Sequence, residues 1–271
     1  MSNKICIIVG HGKSKKGGYD SGALSKDKKY HEFKLAKEIA KYAQEELKNA
    51  YGADCDLMNY NGDLYLQERI NKLKDDTYDF IAEIHLNAGG GTGPEVYYYH
   101  GSANCKKYAD TISEAISKRF NLRNRGAKTR LNDRGQDFFG IIRETKPTSV
   151  LVETVFIDTD GDLAKVKDAA GQKACGQAIA DGIAKVRGLE KKTPAPAPAP
   201  TPTPTPGFKS YVVRITCKSL NVRSGPGTSN KVNTIVYKGE AFTIVGEQNG
   251  WGKLKSGAGW ISLSSKYVQK I

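Results

Sequence analysis

Hydrophobic and polar positions alternate in two different rhythms along this chain, and the change falls at one place. Before residue 190 the rhythm is that of alternating strands and helices. Lys4-Ile-Cys-Ile-Ile-Val9 is a wholly apolar strand, Tyr78-Asp-Phe-Ile-Ala-Glu-Ile-His85 a second and Ser149-Val-Leu-Val-Glu-Thr-Val-Phe156 a third. Between and after them, Glu32 to Leu47, Lys106 to Phe120 and Leu163 to Val186 repeat their apolar residues at helical spacing. Apolar strands separated by helices predict an α/β domain with a mixed, mostly parallel sheet flanked by helices. After residue 207 the runs are short, as in Tyr211-Val-Val-Arg-Ile, Thr234-Ile-Val-Tyr, Ala241-Phe-Thr-Ile-Val and Gly259-Trp-Ile, and they are parted by glycine turns such as Lys238-Gly-Glu and Asn249-Gly250. That predicts a small all-β barrel.

Between the two rhythms, Thr193 to Pro206 reads TPAPAPAPTPTPTP. Proline fixes φ and removes a donor, so this segment can join neither a helix nor a sheet ladder. As extended polyproline II it spans about 40 Å at ~3.1 Å per residue, a spacer. The expected organisation is a first domain over 1–189, a linker over 190–206 and a second domain over 207–271.

Composition adds three points. The five cysteines, Cys6, Cys55, Cys105, Cys175 and Cys217, are scattered and never form C-x-x-C, which argues against a disulfide framework and for reduced, mostly buried thiols. Formal net charge is +13, and residues 207–271 hold ten Lys/Arg against two Glu, so the excess concentrates in the second domain. A basic field favours a polyanion, whether nucleic acid, anionic membrane or bacterial wall polymer. No helix carries a recognition pattern for nucleic acid. No stretch has the ~20 apolar residues of a membrane span. The N-terminus runs straight into its first strand, without the apolar region of a signal peptide, so the expectation is synthesis in the cytoplasm without export by a leader.

The chemistry gathers around two of four histidines. His11 follows the first strand in Val9-Gly-His-Gly12, and His85 closes the second. Ligands of open α/β sheets sit beyond the carboxyl ends of the strands, so the two imidazoles together can face one crevice as zinc ligands, although either alone reads more readily as a structural histidine. Glu32 lies on the inward stripe of Ala36, Ile39, Ala40, Ala43 and Leu47, where an acid needs a partner. Capping of its helix is the other reading. Glu83 shares its strand face with His85 and competes for the ligand role, ranked second because it lies deeper in the strand. Glu153 interrupts an apolar strand. Burial raises the pKa of such a carboxylate, which suits a group that takes and returns a proton.

These segments resemble the zinc-dependent N-acetylmuramoyl-L-alanine amidases of the type-3 family. The resemblance runs from Val9-Gly-His-Gly12 and Glu32 through Leu66-Gln-Glu-Arg-Ile-Asn71, Ile84-His-Leu-Asn-Ala88, Leu122-Arg-Asn-Arg-Gly126 and Phe139-Gly-Ile-Ile-Arg143 to Pro147-Thr-Ser-Val-Leu-Val-Glu-Thr-Val-Phe-Ile157. It implies Zn2+ on His11, Glu32 and His85, with Glu153 catalytic, and hydrolysis of the amide between N-acetylmuramic acid and L-alanine in peptidoglycan. The sequence departs from the family in its lysine-rich loop between Lys13 and Tyr30 and in Thr154, where a small residue is common. Residues 207–271 resemble a bacterial SH3-like domain, through Leu220-Asn-Val-Arg-Ser-Gly-Pro-Gly227 and Gly250-Trp-Gly-Lys253. That likeness implies binding to peptidoglycan or anionic wall polymer. Trp251 and Trp260 are either stacking platforms or, the reading favoured in so small a barrel, core residues. The whole resembles a phage endolysin that reaches the wall once the membrane is permeabilised. A bacterial autolysin of the same chemistry and a non-catalytic wall-binding protein are the alternatives.

Overall fold

A computed structural model describes residues 3–74, 77–192 and 208–271. The chain divides into two compact units, residues 1–192 and 193–271. The proline-rich segment 193–206, read above as a spacer, lies outside the described residues.

In the first unit, β1 (Ile5–Val9) leads through the small hairpin of β2 (Gly12–Lys13) and β3 (Tyr19–Asp20) to α1 (Glu32–Asn49). Then come β4 (Cys55–Met58), α2 (Leu66–Lys72), β5 (Phe80–Asn87), β6 (Glu95–Tyr98), α3 (Ala103–Phe120) and β7 (Gly126–Lys128). The unit ends with α4 (Gly140–Arg143), β8 (Thr148–Phe156), α5 (Asp160–Val166) and α6 (Ala169–Arg187). Six strands form one sheet in the order β4-β1-β5-β8-β6-β7. The first four are parallel, β6 runs antiparallel to β8, and β7 is parallel to β6, so the sheet is mixed and mostly parallel as the pattern predicts.

All five residues of β1 are buried because both faces of the sheet are covered. Ile5, Ile7 and Val9 enter the larger core, shared with α1, α3 and α6, while Cys6 and Ile8 enter a smaller one with Ile70 of α2 and Ile141 and Ile142 of α4. On α1, Phe33, Leu35, Ala36, Ile39, Ala40, Ala43 and Leu47 form the buried stripe. Each fully buried large side chain contributes about 1.5–3 kcal/mol, and Ile39→Ala would cost about 2–5 kcal/mol. The predicted helix from Leu163 to Val186 is two helices. Asp168 adopts an extended conformation and caps α6 by accepting from Gly171 N–H at 2.8 Å, which interrupts the helical ladder. Beyond α6 the chain stays fastened to this unit through Lys192 N–H on Ala50 O and through Lys191, which pairs with Glu46 and Asp181.

One irregularity bears on the site. β8 keeps register with β5 up to the pair His85–Glu153, but Asn87 then pairs with Phe156, so β8 carries one extra residue. Thr154, fully buried, donates its hydroxyl to His85 O at 3.0 Å within this bulge.

The second unit holds β9 (Tyr211–Ile215), β10 (Ser219–Arg223), β11 (Val232–Tyr237), β12 (Ala241–Gln248), β13 (Trp251–Leu254), β14 (Trp260–Ser262) and β15 (Val268–Lys270). They pair in the order β11-β10-β14-β13-β12-β9-β15, all antiparallel. Asn249 and Gly250 both have positive φ, as the two-residue turn from β12 to β13 requires. Its core is Val213, Ile215, Val222, Val236, Ile244, Leu254, Ile261 and Val268. Contrary to the expectation for so small a barrel, the tryptophans lie outside this core. Trp251 and Trp260 are half-buried and belong to the opposite face, because Gly252, Leu254 and Ile261 take the inward positions of their strands.

All five cysteines are free, and four of them are buried. No described helix is long and apolar enough to cross a membrane.

Candidate metal centre and active site

Four predicted residues meet at the carboxyl ends of β1, β5 and β8. His11 leaves β1 with a φ of 62°, an uncommon value for a residue with a side chain. Its carbonyl is held there by Asn59 Nδ2 at 2.8 Å and Arg69 Nη1 at 2.9 Å. This turn swings the imidazole back across the strand ends. Nδ1 meets Asp20 Oδ2 at 2.9 Å, which leaves Nε2 to face Glu32 Oε1 at 3.0 Å.

Glu32 is the first residue of α1, yet its carboxylate serves partners outside that helix. Oε2 accepts from Ala23 N–H at 2.7 Å, and Oε1 accepts from Leu86 N–H at 3.1 Å. The carboxylate therefore points away from its own helix and into the cleft. His85 extends from β5 so that Nδ1 lies 2.9 Å from Glu32 Oε1 and 3.1 Å from His11 Nε2. Room for this ring comes from Gly10, where a Cβ would stand 2.3 Å from its Cε1 and Nε2. Glu83 lies behind the ring, with Oε2 3.3 Å from His85 Nε2, the nitrogen turned away from Glu32. Among the described residues, His11, Glu32 and His85 form the one group of three metal-capable side chains whose donor atoms converge.

Physical chemistry tests whether a metal fits. With Asp20 on one imidazole and the Glu83 charge behind the other, neutral rings would carry their protons on the outward nitrogens, and two nitrogen lone pairs and a carboxylate oxygen would then face one another. Three acceptors at such distances repel unless a cation lies among them. The separations of 2.9, 3.0 and 3.1 Å approach the ~3.3 Å edge of a tetrahedron with zinc-ligand arms of ~2.0 Å. Two imidazoles and one carboxylate are also the donor set of hydrolytic zinc sites, with a fourth position left for water or substrate.

Without a metal, protons take its place. Burial opposes charge on both imidazoles, but the Glu32 carboxylate, joined at His85 by that of Glu83, outweighs it, so His11 rests above the ordinary histidine value and His85 well above it. Burial likewise opposes ionisation of Glu32, which the two imidazoles nevertheless hold far below the usual carboxylate range.

Glu153 on β8 stands in register between His85 of β5 and Glu95 of β6. Burial, with help from the Glu32 and Glu95 charges and against that of His85, pushes its carboxyl up to about 7. Its Oε2 is buried without a hydrogen-bond partner among the described residues. A carboxyl so placed can both take and give a proton near neutrality.

The four residues open into a cleft of about 790 Å³. Leu66, Ile70, Phe139, Ile141 and Leu151 supply apolar wall, and Lys13, Gln67 and Asn87 supply polar groups. Three further residues of the site were not singled out from the sequence. Asp20 orients His11 from within a lysine-rich loop, Asn59 holds the His11 carbonyl, and Arg69 reaches His11 and Glu83 from α2. No spacing pattern marks Asp20 or Asn59, whereas Arg69 falls inside the block Leu66-Gln-Glu-Arg-Ile-Asn71 on which the family resemblance rests, a signal that could have found it.

Comparison with known proteins follows the same division. A model of the N-acetylmuramoyl-L-alanine amidase family matches residues 5–185, and one of the bacterial SH3 domain matches residues 218–269. The chain is 35% identical over 188 residues to the N-acetylmuramoyl-L-alanine amidase LytC of Bacillus subtilis (strain 168), a stretch that is 67% of this chain and 35% of LytC. Cwp6 from Clostridium difficile matches with a TM-score of 0.62 and 31% identity over 69% of this chain and 29% of that one. The catalytic domain of the CD27L endolysin targeting Clostridia Difficile matches with a TM-score of 0.55 and 30% identity over 69% of this chain and 98% of that one. The chain thus spans only about a third of LytC and of Cwp6. The family match nonetheless runs from the first strand into the last helix of the first unit, well over half of the sequence, and the chain belongs to the N-acetylmuramoyl-L-alanine amidase family, with a bacterial SH3 domain following it.

Proposed function

We propose that this chain is a zinc-dependent peptidoglycan amidase, hydrolysing the bond between the lactyl group of N-acetylmuramic acid and L-alanine. The observation that carries this reading is the convergence of His11 Nε2, Glu32 Oε1 and His85 Nδ1 beside a buried, proton-holding Glu153. Zinc bound by these three atoms supplies Lewis acidity for a carbonyl and lowers the pKa of a water. Glu153 accepts the proton of the attacking water and returns it to the departing alanine nitrogen. The apolar wall of Leu66, Ile70 and Phe139 excludes water from one side of the scissile bond and orients the substrate. Incubation of purified wall with the protein, with and without a chelator, tests the reading. New alanine amino termini that vanish with the chelator are expected. New reducing sugars, or crossbridge amines in place of alanine, would refute it.

The second unit is proposed to hold the enzyme on the wall. Its outward face sets Trp260 between Lys253 and Arg223 in one cross-strand row, with the Lys253 ammonium 5.9 Å from the Trp260 ring. An aromatic platform between two cations, in a segment of strong basic excess, suits a sugar polymer bearing negative charge. Similarity to the CD27L catalytic domain supports an endolysin role, and similarity to LytC supports a bacterial autolysin of the same chemistry. Expression inside a susceptible bacterium separates the two, since an endolysin lyses its producer only after the membrane is permeabilised.

A further inference from the structure

Behind the metal-ligand cluster lies a buried ion pair that the hydrolytic chemistry does not use. Glu83 is 2% exposed and Arg69 4%. Burying two charges seldom adds to stability, because desolvation offsets their attraction, so a pair at this depth calls for some other account. Its contacts supply one. Arg69 Nε lies 3.0 Å from Glu83 Oε1, and the other carboxylate oxygen faces His85 Nε2 at 3.3 Å. The same guanidinium donates through Nη1 to His11 O at 2.9 Å and to Leu64 O at 2.9 Å. One side chain on α2 therefore grips the carbonyl of one histidine and the carboxylate behind the other.

We propose that Arg69 and Glu83 form a clamp that positions both histidines for the metal, a proposal that rests on the zinc reading above. The Glu83 carboxylate, 3.3 Å from His85 Nε2 as an ion-pair contact without an aligned hydrogen bond, favours by its charge a proton on Nε2 and so keeps the Nδ1 lone pair turned toward His11 and Glu32. Rotation of the ring about its Cβ–Cγ bond would lose that contact. Arg69 fixes the carboxylate in turn, and it holds His11 in the left-handed turn that aims the first imidazole. Because the pair is neutral as a unit, it orients the ring without adding net negative charge to the cluster. Outer carboxylates of this kind raise the affinity of a histidine for its metal by ~10- to 100-fold. Glu83 thus acts through His85 and is a positioning residue, distinct from the ligand role for which its place on the strand face also qualified it.

The test uses the full chain and measures zinc affinity by competition with a chromophoric chelator, alongside thermal unfolding of the metal-free protein. Glu83→Leu is expected to weaken zinc binding ~10- to 100-fold, and Glu83→Gln, which keeps the shape but removes the charge that favours a proton on Nε2, should lose a comparable factor. The double variant Arg69→Met/Glu83→Leu removes both buried charges together, so its metal-free form is expected to be more stable than that of Glu83→Leu, at the remaining cost of the Arg69 hydrogen bonds to His11 O and Leu64 O, while its zinc affinity stays low. Zinc affinity within about threefold of wild type in Glu83→Leu overturns the proposal, and so does a double variant that regains affinity together with stability. A wild-type chain that binds no zinc overturns the metal reading and this clamp with it. Normal wild-type binding with indifferent variants overturns the clamp alone.

Discussion

Gly10→Ala puts a single methyl group where the His85 ring now lies. The new Cβ would stand 2.3 Å from Cε1 and Nε2 and 2.7 Å from Nδ1, against an ordinary carbon contact of ~3.5–4.0 Å. The ring must therefore recede by about 1.2 Å or more. Glu83 Oε2, 3.3 Å behind it, leaves little space for that movement. Gly10 does not have positive φ, so alanine meets no backbone penalty and the effect isolates the clash. A shift of this size is several times the ~0.2 Å tolerance of a zinc-ligand bond. Zinc affinity should fall ~10- to 100-fold, turnover on wall ~100-fold or more, and stability by about 1–3 kcal/mol. Chelator competition, release of alanine amino termini and denaturant unfolding read the three quantities. A Gly10→Ala protein with wild-type zinc affinity and turnover would refute the placement of His85 on which the site depends.

Glu153→Gln should keep zinc binding but lose ~10²- to 10⁴-fold in turnover, measured on purified wall; loss of the metal instead would mark Glu153 as a ligand. The stability gained on adding zinc should widen between pH 5 and 8. His11 and His85 rest above their ordinary values and Glu153 is raised to about 7, so the metal-free native state binds more protons than the unfolded chain across this window. For the two histidines that stability is complete at the acid end, for Glu153 it is already declining there because its ordinary value is 4.5, and all of it is lost as pH rises through the folded-state values, while zinc, which replaces the protons, binds better. Thermal unfolding with and without chelator across the window checks the sign, and a zinc effect that shrinks with rising pH contradicts it. Trp260→Ala should weaken wall binding ~10-fold or more in a pelleting assay, with unfolding of the second unit little changed because Trp260 lies outside its core.

The sequence carried the sheet order poorly but the site well, for reasons that individual residues make plain. His11 and His85 were legible because each ends a strong apolar strand, and Glu32 because an acid on an apolar helical stripe conflicts with its surroundings. Strand alternation fails just past Glu153. Val150 and Val152 enter the larger core as even-numbered residues, but Val155 and Ile157 enter the same core as odd-numbered ones, because the extra residue in β8 reverses the phase. The short strands β4, β6 and β7 had too few residues for a period to emerge, and the antiparallel direction of β6 comes from long-range pairing. The roles of Asp20, Asn59 and Arg69 stayed hidden because they come from contacts across 9, 48 and 58 residues of chain. The half-buried tryptophans followed from glycine and aliphatic residues claiming the inside of their strands, a competition that residue size alone does not decide.

Glu32 opens α1, His11 follows the first strand and His85 lies on the third of the four parallel strands in chain order, so their side chains draw together points 53 and 74 residues apart. An ion gripping all three would be a cross-link as well as a reagent. Withdrawing it would reopen two long loops and free the first turn of a helix whose buried stripe organises the larger core. Chelation should then be felt as faster amide hydrogen exchange spreading from Leu86 and the start of α1. In that sense the ion would serve as a latch on the fold, and an enzyme starved of metal would loosen at its centre before any substrate arrived.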